Sequence, residues 1–177
     1  MASFFNRIIR AAQLDENLYE EVEADKGALG QAMGVVVLSS IAAGIGSYGD
    51  SPIRIAIGTV AALITWFIWS GLIYLIGAKL LPEPQTEADY GQLLRTVGFS
   101  SAPGMLRILG LLPFVGGGVV FLGASLWMMA AMVVAAKQAL DYRSRLRAVG
   151  VCAIGWIIQM SVLVGLIVYL ERNGGIE

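Results

Sequence analysis

One charged side chain lies well inside an apolar stretch of this sequence, and it is the residue there best equipped for chemistry. Arg107 follows Ser100 and Pro103 at spacings of seven and four residues, so all three would share one face of an α-helix. A proline inside a helix also leaves one backbone carbonyl without its donor. Gln159 should lie at a comparable depth in the last apolar stretch, where it could hydrogen-bond the guanidinium. We therefore predict a polar or kinked face within the apolar layer, made of these four residues.

Two interpretations of this face remain open. An arginine at mid-depth in a bilayer costs roughly 2.5–3.5 kcal/mol, so Arg107 needs a partner or an escape to water. In the first interpretation the face contacts an anionic lipid headgroup or a substrate. In the second it is a structural kink from which Arg107 extends to the nearer surface.

Other kinds of chemistry have few candidate residues. All 13 acidic residues lie outside the apolar stretches, and the chain contains no histidine. The apolar stretches therefore lack carboxylates for a proton relay, and the commonest metal ligand is missing. Neither a nucleophile with its base nor a set of metal ligands can be found at a plausible depth. We predict no enzymatic activity and no metal or other cofactor.

The remaining arginines of interest lie at the ends of apolar stretches. Arg143, Arg145 and Arg147 directly follow one such stretch, and Arg7 and Arg10 lie near the N-terminus. Each basic charge at a membrane surface attracts anionic lipids by roughly 1 kcal/mol. These five arginines are candidate lipid-headgroup contacts, and control of topology is the alternative explanation.

A pair of glycines is a candidate site of helix packing. Gly30 and Gly34 form a G-x-x-x-G match in the first long apolar stretch. Small residues at this spacing let two helix backbones approach closely. Packing within the monomer and packing in a dimer both remain open.

The composition indicates which elements must position these residues. Of the 177 residues 57% are hydrophobic and 14% are charged, and the mean hydropathy is +0.74. Soluble domains carry about 25% charged residues. We predict an all-α, polytopic transmembrane helical bundle with the lipid bilayer as its partner and no nucleic-acid partner.

Five apolar stretches are long enough, or nearly so, to cross a bilayer. Residues 1–27 precede them as an amphipathic helix and a charged stretch, the latter interpreted as a solvated helical collar, and residues 171–177 form a short tail. The third stretch is interrupted by Ser100, Pro103 and Arg107, so we expect it to be kinked or discontinuous, and it could instead be re-entrant. The five predicted spans are residues 28–47, 53–81, 93–115, 119–136 and 148–170.

The basic residues between the stretches favour five crossings over four. Lysine and arginine collect on the cytoplasmic side of a membrane. With five crossings only Arg54 and Arg172 fall on the far side, whereas with four the cluster from Lys137 to Arg147 would join them. We predict a multi-pass protein of the bacterial inner membrane, with a cytoplasmic N-terminus and the C-terminus on the opposite side.

The third stretch also carries a resemblance to a known family. Residues 97–106, Val-Gly-Phe-Ser-Ser-Ala-Pro-Gly-Met-Leu, are similar to the glycine, aromatic, small-residue and proline pattern in the third span of the Yip-domain family. The tryptophan-containing fourth stretch and the basic connection after it fit as well. The chain resembles this family over about 28–170, and the resemblance implies five spans.

The family's eukaryotic members are named for their interaction with Ypt/Rab GTPases. They tend to have a long N-terminal region with an Asp-Leu-Tyr-Gly-Pro type motif, where this chain has Asn17-Leu18-Tyr19-Glu20-Glu21. The short N-terminus resembles the bacterial branch, and we do not carry the GTPase-binding role over.

Two functional hypotheses follow. In the first, the chain is a non-enzymatic scaffold or accessory subunit in membrane organisation or in a complex with other membrane proteins. In the second, it is a small transporter or channel for an anion or lipid, with the discontinuous third stretch lining the path.

Overall fold

The computed structural model describes residues 3–48, 51–112 and 116–172, and within them the chain is helical with no strand. Two short helices come first, followed by five longer elements, two of which end in a non-α segment. A 3₁₀ turn, Lys26–Ala28, links the second helix to the third, Tyr74–Leu80 is a π-helix, and Ala102–Leu111 is a 3₁₀ helix. The α-helices are α1 (Phe4–Ala12), α2 (Glu16–Ala24), α3 (Leu29–Tyr48), α4 (Pro52–Ile73), α5 (Tyr90–Phe99), α6 (Gly117–Ala139) and α7 (Arg145–Arg172).

Four helical stretches in the described part of the chain are long and apolar enough to cross a membrane. They are Lys26–Ser47, Pro52–Leu80, Gly117–Ala139 and Arg145–Tyr169. They coincide with four of the five predicted spans, and the protein is a multi-pass helical membrane protein. The predicted tail begins within α7, and its residues 173–177 lie outside the described part.

The third predicted span has a different form. The segment formed by α5 and the 3₁₀ helix, here called the third segment, runs over residues 90–111 with a break at Ser100 and Ser101. Residues 113–115 of the prediction lie outside the described part. Pro103 has no N–H to donate, and the backbone forms i to i+3 bonds instead, from Ser101 to Gly98 (3.1 Å) and from Gly104 to Ser101 (2.9 Å).

The third segment is the central element of the bundle. Every residue from Leu93 to Ser100 is buried, because α2, α3, α4 and α6 all pack around α5. A capping box between Asp89 and Gln92 begins α5, and the Trp66 indole of α4 donates to the Leu94 carbonyl at 3.0 Å.

Small residues set the register of the third segment against α3. A Cβ at Gly98 would lie 2.7 Å from the Cβ of Ala32, and a Cβ at Gly104 would overlap Ser39. Gly110 lies against Gly46 in the same way. The two elements therefore run parallel, since both series of positions rise together along the chain. Ala32, Ser39 and Gly46 are spaced by seven residues, which places them on one face of α3.

The opposite neighbour of the third segment is α6, and it runs antiparallel. Gly117 at the start of α6 lies against Gly110, and Met132 further on lies 3.8 Å from the Ser100 hydroxyl. The residues between them pair in the same descending order, because Met128 meets Gly104. The third segment is thus enclosed between α3 and α6 along most of its length.

The last helix, α7, contacts the bundle mainly through its first half. Ala148 and Val151 are buried, and a Cβ at Gly155 would lie within 4 Å of Trp69, Ile73 and Ile76. Among the described side chains beyond Gly155, large apolar ones such as Val162 and Val168 are exposed. An apolar surface of this extent suits contact with lipid or with another membrane protein.

Candidate functional site

The first cluster of polar residues gathers around Arg7 of α1. Its guanidinium donates to Glu21, Asp25 and Gln31, each at 2.9 Å. The Arg7 side chain is only 6% exposed. Because the arginine points into the protein, α1 is docked against α2 and α3 by charge as well as by packing.

A second arginine of α1 shares one of these carboxylates. Arg10 pairs with Asp15 at 2.7 Å and with the other oxygen of Glu21 at 2.6 Å. Hydrogen bonds from Arg10 and then Arg7 hold the pKa of Glu21 below its usual range. The structure thus brings both arginines to carboxylates of their own chain, and lipid-headgroup contact by Arg7 and Arg10 stays a prediction.

The apolar side of α1 is divided between protein and surroundings. Phe4 packs against Gly34 and Ile8 against the main core, whereas Phe5 is 73% exposed and Ile9 is 57% exposed. Trp127 of α6 donates to the Ala12 carbonyl at 2.8 Å and so holds the C-terminal end of α1. An interfacial amphipathic helix is expected to present such apolar residues to lipid.

The charged stretch after α1 is only partly the solvated collar expected from the sequence. Helix α2 buries Leu18, Tyr19 and Val22 completely, and the Tyr19 hydroxyl donates to the Ala11 carbonyl at 3.2 Å. These three residues lie at i, i+1 and i+4, which is the spacing of one helix face. This spacing could have predicted a buried face of α2. It was overlooked in the sequence because the segment carries so many charged residues.

The polar face of α2 reaches the C-terminal half of the chain. Glu16 accepts hydrogen bonds from Lys137 at 3.0 Å and from Arg145 at 2.5 Å, and Glu20 accepts one from Gln138 at 2.8 Å. Hydrogen bonds from Lys137 and then Arg145 lower the pKa of Glu16. One end of the bundle therefore carries a connected polar layer, the polar cap, made of α1, α2, the end of α6 and the start of α7.

A cleft of about 590 Å³ opens in the polar cap between α2, α5 and the turn that follows α6. Its walls include Glu16, Glu20, Glu23, Gln92, Lys137, Gln138, Asp141 and Tyr142. Burial and the nearby carboxylate of Asp141 raise the pKa of Glu23 to about 7. The buried guanidinium of Arg95 donates to the backbone carbonyls of Val22 and Glu23 and so fixes the end of α2 above the cleft.

The predicted polar face around Arg107 is only partly assembled. In the 3₁₀ helix residues three apart are aligned, so Arg107 shares an edge with Gly104 and not with Pro103. Nη2 of Arg107 donates to the Ser125 hydroxyl at 2.8 Å, and the guanidinium lies 4.4 Å from the centre of the Phe121 ring. Both partners belong to α6, and Gln159 of α7 makes no hydrogen bond to Arg107 in the described structure.

The predicted members of that face have separate environments. Ser100 is buried and donates to the Val97 carbonyl at 2.7 Å, and Pro103 is buried at the break in the third segment. Gln159 is half-buried on α7. Sequence reasoning missed Ser125 and Phe121, although a serine and an aromatic residue four positions apart in an apolar helix were a usable signal.

A comparison with protein families decides the classification. The model of the Yip1 domain matches residues 12–167. The chain belongs to the Yip1-domain family. This confirms the resemblance inferred from residues 97–106. Comparisons with curated proteins and with solved structures find no match.

The Yip1 domain of this chain includes α2 and the whole third segment, while nearly all of α1 precedes the matched residues. The polar cap thus combines α2, α6 and α7 of the domain with α1, which largely precedes it. Within the described residues no group of three histidine, cysteine or acidic side chains could hold a metal ion.

The other predicted positions of the Yip1 domain occupy varied surroundings. Arg147 donates to the carbonyls of Leu81 and Pro82 and lies 3.6 Å from Glu83, and the backbone N–H of Arg143 donates to Glu83. Gly34 faces Phe4 of α1, whereas a Cβ at Gly30 would meet nothing within 4 Å. Lipid contact by Arg143, Arg145 and Arg147 stays a prediction, and so does helix packing through Gly30 and Gly34, within the monomer or in a dimer.

Proposed function

We propose that this Yip1-domain protein is a non-enzymatic scaffold or accessory subunit that organises a membrane complex. The observation that supports this function is the separation of polar and apolar groups in the bundle. The polar side chains gather in the polar cap, whereas the third segment closes against α3 and α6 through glycine, alanine, serine and methionine. A closed bundle with a polar end and apolar sides suits a protein that other proteins bind.

We further propose five crossings, with α1 and α2 in the cytoplasm of a bacterium and the end of α7 across the inner membrane. The hydrogen bond between Arg145 and Glu16 supports this topology, since it joins the start of α7 to α2 at one end of the bundle. The third segment also has sufficient length: ten residues of α-helix and ten of 3₁₀ helix extend about 35 Å, against a hydrocarbon layer of about 30 Å.

The topology can be tested by labelling single cysteines in a Cys152→Ser background, which has no other cysteine. We expect Gln13→Cys and Arg145→Cys to react with a membrane-impermeant maleimide only in inside-out vesicles. Arg54→Cys and Glu171→Cys should react only in intact spheroplasts. Labelling of Arg145→Cys together with Arg54→Cys from one side would contradict five crossings.

The alternative is a small transporter or channel for an anion or lipid that uses the discontinuous third segment. Its support is the break at Ser100 and Ser101 followed by the half-buried Arg107. The two functions give different results for Arg107→Ala. A transporter should move labelled anions or lipids in proteoliposomes, and the substitution should abolish that flux.

The scaffold should instead copurify in mild detergent with a partner in fixed stoichiometry, identified by mass spectrometry. That association should survive Arg107→Ala, provided that the variant folds. Photo-crosslinking residues placed at Ile157 and Val164 on the exposed side of α7 locate the contact, with Ala124, buried within the bundle, as the control position. Crosslinks absent from both positions, together with substrate flux by the wild-type protein, would overturn the scaffold proposal.

A further inference from the structure

Arg107 carries a positive charge that no carboxylate of the described structure balances. Its contacts are the neutral hydroxyl of Ser125 and the neutral ring of Phe121. Its Nε is buried and has no hydrogen-bond partner. The elements around it, α3, the 3₁₀ helix and α6, contain no acidic residue. A partly buried guanidinium with neutral partners alone is under-compensated, and an anion would stabilise it.

The serine that contacts Arg107 is itself fixed. The Ser125 hydroxyl donates its hydrogen to the Phe121 carbonyl at 2.7 Å, one turn earlier in α6. It therefore acts as an acceptor toward Nη2 and takes up only one of the N–H groups of the guanidinium. The ring of Phe121 covers one face of the guanidinium, so an anion would approach from the edge.

The surroundings of Arg107 are apolar and open to lipid. Leu106 and Ile108 are exposed on either side of it in the chain, and Leu122 of α6 is 62% exposed. A free anion in water would not select such a surface. An anion attached to acyl chains would, because the chains could lie along these residues.

Arg107 lies near one end of the helical bundle. Its carbonyl abuts Gly46, two residues before α3 ends, and Phe121 lies four residues after α6 begins. Four residues of helix correspond to about 6 Å. Arg107 thus lies close to the end of the bundle that is opposite the polar cap, where acyl chains give way to headgroups.

We propose that Arg107 binds the phosphate of a membrane phospholipid in the leaflet opposite the polar cap. A phosphodiester carries the single negative charge that the site lacks, and its oxygens accept charge-assisted hydrogen bonds from a guanidinium. The site is independent of the scaffold function, because it lies on the lipid-facing surface at the other end of the molecule. A protein that fails to bind the lipid can therefore still be tested for partner binding at α7 or at the polar cap, and the two results are distinguishable.

The test is native mass spectrometry of the delipidated protein in detergent. The probes are phosphatidylglycerol, diacylglycerol with the same acyl chains, and inorganic phosphate. We expect one phosphatidylglycerol to be retained per chain, no comparable retention of diacylglycerol, and no displacement of the lipid by millimolar phosphate. Displacement by phosphate would identify a general anion site and overturn the lipid assignment.

Variants then assign the binding to the side chain. Arg107→Gln should weaken phosphatidylglycerol binding by at least about tenfold, as expected for hydrogen bonds to a charged group, and Arg107→Lys should restore part of it. Arg54→Gln removes a charge near the same end of the bundle and should leave binding unchanged. Equal binding by wild type and Arg107→Gln would overturn the proposal. If Arg107→Gln does not fold, the comparison of phosphatidylglycerol with diacylglycerol on the wild-type protein decides, and equal retention of the two overturns it.

Discussion

Arg145 donates to a carboxylate oxygen of Glu16 at 2.5 Å, although 129 positions of the chain separate the two residues. The other oxygen of Glu16 accepts from Lys137 at 3.0 Å. One carboxylate therefore joins α2 to the end of α6 and to the start of α7. Arg145 is 69% exposed, so its own bond contributes at most about 1 kcal/mol, and the value of the contact is chiefly positional.

The first prediction concerns this proximity. In a Cys152→Ser background, the pair Glu16→Cys and Arg145→Cys should crosslink efficiently with a short bis-maleimide, because the replaced side chains are in contact. The pair Glu16→Cys and Glu171→Cys is the matched control, since Glu171 lies at the other end of α7, and it should give no intramolecular product. Gel mobility after cleavage of a protease site placed in the connection between α4 and α5 measures the yield. Equal yields from both pairs would contradict the contact between α2 and the start of α7.

The second prediction concerns the close packing of the third segment. A Cβ at Gly104 would overlap Ser39 and lie 2.7 Å from the sulfur of Met128, whereas a Cβ at Gly123 of α6 would meet nothing within 4 Å. Gly104→Ala should therefore destabilise the protein by about 1–3 kcal/mol. Gly123→Ala should be neutral or stabilise it by up to about 1 kcal/mol, because alanine favours the helix. Thermal unfolding in mild detergent compares the stabilities of the two variants. If Gly104→Ala is as stable as wild type, the third segment packs against Ser39 and Met128 less closely than the structure shows.

The third prediction concerns the docking of α1. Arg7→Gln removes the guanidinium that pairs with Glu21 and Asp25, and it leaves Glu21 with Arg10 alone and Asp25 with only the backbone N–H of Gly27. We expect a loss of about 2 kcal/mol, less than the 3–5 kcal/mol of a fully buried pair because the two acids are about one-third exposed. Arg10→Gln, at a 25% exposed side chain, should cost about 1 kcal/mol. Protection of α1 amides in hydrogen exchange measures the difference, which should vanish if Arg7 instead serves the membrane surface.

The fourth prediction concerns pH. The pKa of Glu23 is about 7 in the folded protein, above the usual value, because of burial and the neighbouring Asp141. A raised carboxyl pKa means that the neutral form is favoured by folding, so this stabilisation is present at low pH and is lost as the pH rises through 7. Glu23→Gln should therefore be more stable than wild type at pH 8, by about 1 kcal/mol after allowance for solvent screening.

The matched control for Glu23→Gln is the exposed Glu87. Glu87→Gln removes the same charge from an exposed position and should not stabilise the protein at pH 8. The charged groups around Glu23 are Glu20 on its own helix, Asp89 directly before α5, Arg95 in the middle of α5, and Asp141 after α6. A parallel pH profile for wild type and Glu23→Gln would show that Glu23 does not titrate in this range.

The sequence predicted the long helices well, because continuous apolar residues over about twenty positions leave few alternatives to a membrane helix. The break between α5 and the 3₁₀ helix, at Ser100 and Ser101, falls in the stretch that the sequence interrupts with polar residues and a proline. The 3₁₀ geometry after the break could not be predicted, since it depends on close contact with Ser39 and Met128. That geometry turned Arg107 away from Pro103 and toward Ser125.

Which side of each N-terminal helix packs against the protein was harder to predict. A helical pattern divides α1 into two sides but does not say which side meets protein and which meets lipid. The sequence therefore suggested Arg7 as a headgroup contact but not its ion pairs with Glu21 and Asp25. For the same reason the charge of α2 concealed Leu18, Tyr19 and Val22, which a search for spacing alone would have found.

The polar cap sets an order of events during biosynthesis. Glu16 and Glu20 leave the ribosome early, but their partners Lys137 and Gln138 follow 121 and 118 residues later. Contacts so distant in the chain form late and expose their members in the meantime. A nascent chain that stops before α6 consequently lacks the contacts of α2 with α6 and α7, and the finished cap distinguishes a full-length bundle from an interrupted one.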